Sequence, residues 1–219
     1  MIPDVYAADS TINYELGAKT SWLDRRLVAN VAVYYIDWRD IQLDGARLSD
    51  QRTFVTNAGA AESQGVELEL SARPTSGLTL YTTLTFQDAK VTDVPTNIIV
   101  PAAKNDVLPG LVDFKFSGGF EYRWDLGVNQ LYVRADGQYI ESSPNGLRGN
   151  GTNPNYAINE SYENVDAAIG LVTRWGEVAL YGENLSNNDA YILNQGTGFI
   201  NPINTLRPRT AGLRVNVKY

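Results

Sequence analysis

The chain has 219 residues, enough for one large or two small domains with a substantial core. Its formal charge of -7 argues against nucleic acid as a partner. Because cysteine and histidine are both absent, disulfides, cysteine nucleophiles and every triad or zinc site that needs a thiolate or an imidazole are excluded. Few common enzyme designs remain, and we expect no catalytic residues, no bound metal and no cofactor.

No apolar run approaches the roughly 20 residues of a membrane-spanning helix. The first residues, "MIPDVYAADS", lack the basic and apolar regions of a secretory signal. These features favour a cytoplasmic protein, unless the chain is a fragment or crosses a membrane as strands. Aromatic residues make up 11% of the chain, with 13 tyrosines, and this composition favours β structure.

Alternation of apolar and polar residues recurs along the chain, whereas helical periodicity is weak. In "GVELELSAR", Val66 and Leu68 share one face of a strand, and Glu67 and Glu69 share the other. The alternation is least regular in the second strand, beyond Tyr34. The pattern predicts nine strands, at about residues 12–23, 27–43, 53–72, 78–92, 111–124, 130–143, 162–174, 177–186 and 207–219.

The connections between these strands alternate between short and long. The short ones are 24–26, 74–77, 125–129 and 175–176. The long ones are rich in Gly, Asn and Pro and centre on "DGARLSDQ", "TDVPTNIIVPAAKNDVLPG", "SPNGLRGNGTNPNYAINE" and "NNDAYILNQGTGFINPINT". Alternate connections of an up-and-down meander lie at the same end of the sheet, so one end has tight turns and the other has long loops.

The apolar face of such strands has two interpretations. In a soluble sandwich or barrel it points into the core, and in an outer-membrane barrel it points out to lipid. The strands exceed ten residues, where sandwich strands have about five or six, and the asymmetry of the connections is typical of outer-membrane barrels. Aromatic residues also gather near strand ends on the apolar face, at Trp22, Tyr35, Tyr122, Trp124 and Tyr139. We therefore predict an all-β, antiparallel, up-and-down transmembrane barrel wall.

The odd number of predicted strands leads to a further prediction. In a meander of nine strands the first and last run parallel and do not close by antiparallel pairing, whereas bacterial single-chain barrels have even numbers of strands. Two long open edges would also promote aggregation. We therefore expect residues 1–219 to be the C-terminal part of a larger barrel.

Several stretches, taken in order, resemble the TonB-dependent outer-membrane receptors. "INYELGAKTSWLDRRLVANVAVYYIDWRDIQL" is similar to a strand pair of that family, and "VTNAGAAESQGVELELSARP" to its most recognisable segment, with Asn57, Gly59, Gly65, Glu67 and Glu69 in place. "YENVDAAIGLVTRWGEVALYGENLSNNDAY" resembles the penultimate hairpin, and "PRTAGLRVNVKY" the closing strand. The terminal tyrosine departs from the phenylalanine that is usual in the family.

The resemblance implies a 22-stranded barrel, filled by a plug domain, in the bacterial outer membrane. It implies transport of a scarce extracellular ligand such as an iron–siderophore complex, with energy from the TonB complex acting through the plug. The present chain lacks the plug and about thirteen strands of such a barrel, so we expect no transport by this chain alone. Outer-membrane lipid and the barrel-assembly machinery would be its other partners. The ligand itself is not specified by the sequence.

Two groups of acidic residues have a catalytic or metal-binding interpretation. Asp37, Asp40, Glu67 and Glu69 have spacings that permit glycosidase chemistry, but a lumen lining that pairs with basic residues explains them better. The stretch "DGARLSD" (44–50) is loosely similar to a calcium loop but lacks the closing glutamate. A solvated loop is the simpler interpretation.

Ligand recognition is expected in the long loops, which a rigid scaffold holds at one end. Arg148 in "NGLRGNG", together with Asn145, Tyr156 and Phe199, is the candidate set for ligand contact. The alternative is that these residues pack the loops against one another.

The closing stretch "TAGLRVNVKY" resembles the signal that hands outer-membrane proteins to the assembly machinery. Its members are Thr210, Gly212, Val215, Val217 and Tyr219. An extended apolar edge with a terminal aromatic can add to an exposed sheet edge, and Gly212 permits close backbone approach. The alternative is an ordinary amphipathic last strand.

Two other functions remain open at this point. A passive porin or small adhesion barrel, complete in itself, would require an even strand number, with a further strand within 95–108 or 187–206. A soluble β-sandwich binding protein would require the apolar side chains to be buried.

Overall fold

A computed structural model of the protein describes residues 6–46, 49, 52–57, 59–96, 98–151, 153–194 and 202–218. These residues form an all-β structure with a single 3₁₀ turn at Gly149–Gly151. In the described ranges, no helix has the length and apolarity needed to span a membrane.

In these described residues, nine long strands form one antiparallel sheet, and their order across the sheet is their order along the chain. The strands are β1 (Ser10–Trp22), β2 (Leu27–Arg39), β5 (Ala60–Ala72), β6 (Leu78–Asp93), β7 (Phe114–Leu126), β8 (Asn129–Ile140), β11 (Tyr162–Thr173), β12 (Gly176–Glu183) and β15 (Thr210–Val217). The predicted fold class and the predicted up-and-down order are therefore confirmed. Within the described residues β1 and β15 are open edges, and the sheet is not closed.

The described parts of the long connections contain three short hairpins. They are β3 (Gln42–Ala46) with β4 (Thr53–Asn57), β9 (Ser143–Pro144) with β10 (Ile158–Asn159), and β13 (Tyr191–Asn194) with β14 (Ile203–Thr205). Residues 95–108 contribute only isolated bridges, at Ile99 and Val107. Neither segment named for an additional strand adds one to the main sheet in the described ranges, so the strand number stays odd.

Two strand boundaries were predicted wrongly. The predicted strands 27–43 and 53–72 are each divided, because the chain leaves the main sheet after Arg39 and returns at Ala60. Asp40 has a φ of 55° and Gly59 a φ of 114°, and neither value continues a strand. The β3–β4 hairpin lies between these two breaks.

The alternation of connections is confirmed. Segments 23–26, 73–77, 127–128 and 174–175 are tight turns, and segments 40–59, 94–113, 141–161 and 184–209 are the long connections. In the first turn Leu23, Asp24 and Arg25 all have positive φ. We call the two ends of the sheet the short-turn end and the long-loop end.

The strands pair so that apolar residues of one strand lie opposite apolar residues of the next, and these residues share one face of the sheet. On the apolar face, Leu16, Val33, Val66, Phe86 and Phe114 form one row through β1, β2, β5, β6 and β7. Leu16 is 79% exposed and Phe86 54%. The other side of the sheet is the polar face.

Burial is the reverse of that in a water-soluble sheet. The buried apolar side chains of the nine described strands lie on the polar face, at Ala61, Ala89, Val91, Tyr132, Ala168 and Ala179. Contiguous exposed apolar surface of this kind marks contact with lipid or protein. The soluble sandwich required a buried apolar face, so that alternative is wrong.

At the long-loop end, the apolar face of the sheet is bordered by charged residues. Asp37 and Arg39 occupy apolar-face positions and form an ion pair of 2.6 Å. Across the sheet, Lys90 Nζ lies 3.0 Å from Asp88 Oδ2 and 3.6 Å from Glu62 Oε1. The expectation that Asp37 lines the lumen is therefore wrong, because the register turns it to the opposite face from Glu67 and Glu69. Asp40 lies outside any strand.

The predicted aromatic positions all lie on the apolar face. The register places there Trp22, Tyr35, Tyr122, Trp124 and Tyr139. The Tyr35 hydroxyl donates a hydrogen bond of 3.1 Å to Glu62 Oε2 at the charged boundary. Near the short-turn end the Tyr122 and Trp124 ring centroids are 4.4 Å apart. Such aromatic belts flank the lipid-facing band of membrane barrels.

Each long connection joins two strands that share a tyrosine–glycine pair. The tyrosine lies on the first strand, and the glycine lies directly opposite on the second, on the polar face. A Cβ built on each glycine would lie between 2.5 and 2.6 Å from a tyrosine atom, so only glycine leaves room for the ring. The pairs are Tyr34–Gly65, Tyr81–Gly119, Tyr132–Gly170 and Tyr181–Gly212.

We predict that Gly170→Ala lowers the free energy of unfolding by about 1–3 kcal/mol, because the new methyl group overlaps the ring of Tyr132. Tyr132 is only 6% exposed and donates a hydrogen bond of 2.5 Å to Glu177, so its ring has little freedom to move. Urea unfolding in lipid vesicles measures the change. Gly137→Ala is the matched control, since its nearest atoms would be 3.9 Å away. Equal stabilities of the two variants would contradict the prediction.

Candidate ligand-binding site

A cavity of about 600 Å³ lies on the polar face toward the long-loop end. Strands β1, β2 and β5 form its wall, and the connection 94–113 supplies Leu108 and Leu111. Leu108 N donates to Ala89 O at 3.0 Å, so this connection is anchored to β6 beside the cavity. The cavity therefore lies where a polar wall meets the long connections.

Two aromatic side chains of β2, Tyr34 and Trp38, line this cavity. Trp38 Nε1 donates a hydrogen bond of 2.7 Å to Asp9 Oδ2. The Tyr34 hydroxyl donates to Gln87 Oε1 at 3.1 Å, and Gln87 Nε2 donates to Val112 O at 2.8 Å. Both rings are thus held in place by partners outside β2.

The charged lining of the cavity is acidic. The carboxylates that reach it from the polar face belong to Asp9, Glu15 and Glu67, and no lysine or arginine lines it in the described chain. Glu62 borders the cavity, but its carboxylate lies on the apolar face with Tyr35 and Lys90. These carboxylates do not gather into a group suited to a metal ion, as far as the described residues extend. Aromatic faces beside carboxylates suit a ligand with flat rings and hydrogen-bond donors or positive charge.

The loop residues proposed for ligand contact are only partly brought together. Asn145, Arg148 and Tyr156 lie in the same connection, 141–161, and Phe199 lies outside the described residues. Asn145 Nδ2 donates to Asn155 O at 3.0 Å, and its Oδ1 accepts from Ala157 N at 2.7 Å. The amide of Asn145 therefore holds the loop together.

Arg148 and Tyr156 are placed by their backbones. The carbonyl of Arg148 accepts from Gly151 N at 3.0 Å, and Tyr156 N donates to Asn153 O at 3.3 Å. The Arg148 side chain is exposed and Tyr156 is half-buried. Their contact with a ligand stays a prediction.

Asp106 joins two of the long connections, a role that no pattern in the sequence indicates. This nearly buried carboxylate accepts hydrogen bonds through Oδ2 from Ala103 N at 2.9 Å and from Gly149 N at 2.7 Å. Gly110 N also donates to Pro144 O at 2.9 Å. The connections 94–113 and 141–161 are thus a single hydrogen-bonded unit beside the cavity.

The proposed assembly signal is located in the last strand. Thr210, Gly212, Val215 and Val217 lie in β15, which pairs with β12, and Tyr219 lies outside the described residues. Val215 and Val217 lie on the exposed apolar face. Gly212 lies on the polar face beneath the ring of Tyr181, and the role of these residues as an assembly signal stays a prediction.

Long antiparallel strands in chain order, an outward apolar face with aromatic and charged borders, and connections that are long at one end define the wall of an outer-membrane type of β-barrel. The chain belongs to the family described as TonB dependent receptor-like, beta-barrel, whose model matches residues 8–185.

Solved structures of receptors share this fold. The ferric yersiniabactin uptake receptor FyuA from Yersinia pestis is 20% identical, with a TM-score of 0.72 over 94% of this chain and 29% of that receptor. The ferric-catecholate import receptor Fiu from E. coli K12 is 22% identical, with a TM-score of 0.73 over 95% and 27%. The siderophore receptor PiuA from Acinetobacter baumannii is 18% identical, with a TM-score of 0.74 over 95% and 28%. The present chain thus spans less than a third of the length of each receptor.

Proposed function

We propose that this chain is the C-terminal part of the barrel of a TonB-dependent receptor that takes up a ferric siderophore or a similar iron complex. The observation that carries the proposal is the cavity at the long-loop end of a lipid-facing wall, with Tyr34 and Trp38 on its polar side. Ligand caught by the loops would enter at this cavity. Iron-uptake receptors are also among the proteins that share the fold.

The proposal assigns a role to each side of the sheet. The apolar face meets lipid of the outer membrane of a Gram-negative bacterium, the long-loop end faces the cell exterior, and the polar face lines the lumen. Passage of ligand would require a plug domain that moves when the TonB complex acts on it. The described residues form neither a plug domain nor a closed lumen. The 219 residues alone would therefore bind ligand without transporting it.

The cavity narrows the class of ligand. Its carboxylates repel a strongly anionic complex, and its aromatic side chains favour flat rings. We therefore propose an aryl siderophore that carries hydrogen-bond donors or a protonated amine. Arg148, Asn145, Tyr156 and Phe199 would act in the first capture by the loops.

We predict that Trp38→Ala raises the Kd for a ferric aryl siderophore about tenfold, which corresponds to ~1.4 kcal/mol, because one of the two aromatic contacts on β2 is lost. Trp38→Phe should lose less, since it keeps an aromatic ring. Fluorescence-quenching titration of the complete receptor measures binding, and uptake of radioactive iron by iron-starved cells measures transport. Trp175→Ala at the short-turn end is the control, with no expected change, because this side chain is 66% exposed and distant from the cavity.

Uptake that persists when the proton gradient is dissipated would contradict the proposal and favour a passive porin. Failure of the wild-type receptor to bind any ferric complex would contradict the ligand class.

We further propose that β15 and the residues after it are the address that the barrel-assembly machinery recognises. An extended strand with Val215 and Val217 exposed on its apolar face is suited to pairing with another sheet edge. Deletion of Tyr219 should reduce the amount of folded, heat-modifiable protein in the outer membrane, whereas Tyr219→Phe should retain it. Normal assembly after the deletion would rule out this role.

A further inference from the structure

The polar face carries a glycine on every strand that runs from the long-loop end to the short-turn end. In the described sheet these are Gly17, Gly65, Gly119, Gly170 and Gly212. Four of them lie beneath a tyrosine ring of the strand that precedes them in the sheet. Gly17 of β1 is the exception.

The space above Gly17 is open. A Cβ built there would meet Val31 O at 3.3 Å and Ala32 Cβ at 3.9 Å, and no ring atom within 4 Å. Both of those contacts come from β2, which pairs with β1 along its whole length. The other edge of β1, Ser10–Trp22, has no partner strand in the described chain. A preceding strand would lie along this edge.

We propose that the free edge of β1 binds an antiparallel strand that lays an aromatic side chain, in the position that tyrosine takes in the other pairs, on Gly17. The inference rests on the proposed function, because it treats the sheet as one stretch of a continuous barrel wall. The partner strand runs from the short-turn end to the long-loop end, with apolar side chains outward and the ring on the polar face. The edge gives affinity through backbone hydrogen bonds, and the glycine fixes the register.

The partner is not a second copy of this chain. The two free edges are β1 and β15, and neither offers an aromatic residue on its described polar face. Those faces consist of Thr11, Asn13, Glu15, Gly17, Lys19 and Ser21 in β1, and of Thr210, Gly212, Arg214, Asn216 and Lys218 in and after β15. The ring must therefore come from a strand outside these 219 residues. We assign this strand to the same barrel as the present chain.

Photo-crosslinking in cells that make the complete protein tests this proposal. A p-benzoylphenylalanine placed at Lys19, two residues from Gly17 on the same face, should crosslink to a segment outside these 219 residues. Mass spectrometry of the product should identify an alternating strand with an aromatic residue opposite Gly17. The matched control is the same probe at Lys115, an exposed lysine on the polar face of the interior strand β7, whose crosslinks to barrel strands should be confined to β6 and β8.

Gly17→Ala supplies the second measurement, because its methyl group occupies the position of the ring. It should lower the yield of the Lys19 crosslink about two- to tenfold, and Gly137→Ala should leave it unchanged. Equal yields in the two variants would overturn the assignment of the ring. A Lys19 crosslink to lipid, to a second copy of this chain or to a strand without an aromatic residue opposite Gly17 would overturn the proposal, as would no crosslink while the Lys115 probe reacts.

Iron uptake by the same cells separates this inference from the proposed function. Normal uptake with a wrong crosslink would overturn only the edge partner. The expected crosslink in cells that take up no iron complex would overturn only the function.

Discussion

The constraint on which the structure depends is the pairing of backbone hydrogen-bonding groups within a sheet whose apolar side chains point outward. In lipid no water replaces a missing partner, so each backbone N–H and C=O must be satisfied by a neighbouring strand. Each interior strand of the described sheet is hydrogen-bonded to a neighbouring strand on both sides. The same requirement makes the unpaired edges of β1 and β15 surfaces that must be covered in a membrane.

Because side chains alternate along each strand, the sheet has an apolar face and a polar face, and the side chains of each face pack differently. Outward positions carry aliphatic residues between aromatic borders, with the ion pairs of Asp37 and Lys90 at the long-loop end. Inward positions carry the tyrosine–glycine pairs, in which a ring of one strand covers the bare backbone of the next. Each pair joins the two strands that flank one long connection, so a shift of register between those strands would separate the ring from its glycine.

Strand number, strand order and the direction of the apolar face could be predicted from the sequence, because alternation is a local property of each strand. The break at Asp40 and Gly59 could not, since it depends on backbone dihedrals that the alternation does not encode. The irregular alternation beyond Tyr34 has a structural cause. Tyr34 and Trp38 break the pattern because they are large aromatic residues on the polar face, where they line the cavity. The role of Asp106 could not be predicted either, because its partner Gly149 is distant in the sequence.

The central claim is that the exposed apolar face meets lipid and the polar face meets water. Because the chain has no cysteine, a single introduced cysteine gives one spin-label site in it. Labels at Leu84 on the apolar face and at Thr83 on the polar face of β6 compare adjacent residues at the same depth. In membrane vesicles, electron paramagnetic resonance should show the Leu84 label accessible to oxygen and protected from a water-soluble nickel complex, and the Thr83 label the reverse. Ready access of the nickel complex to the Leu84 label would contradict the account.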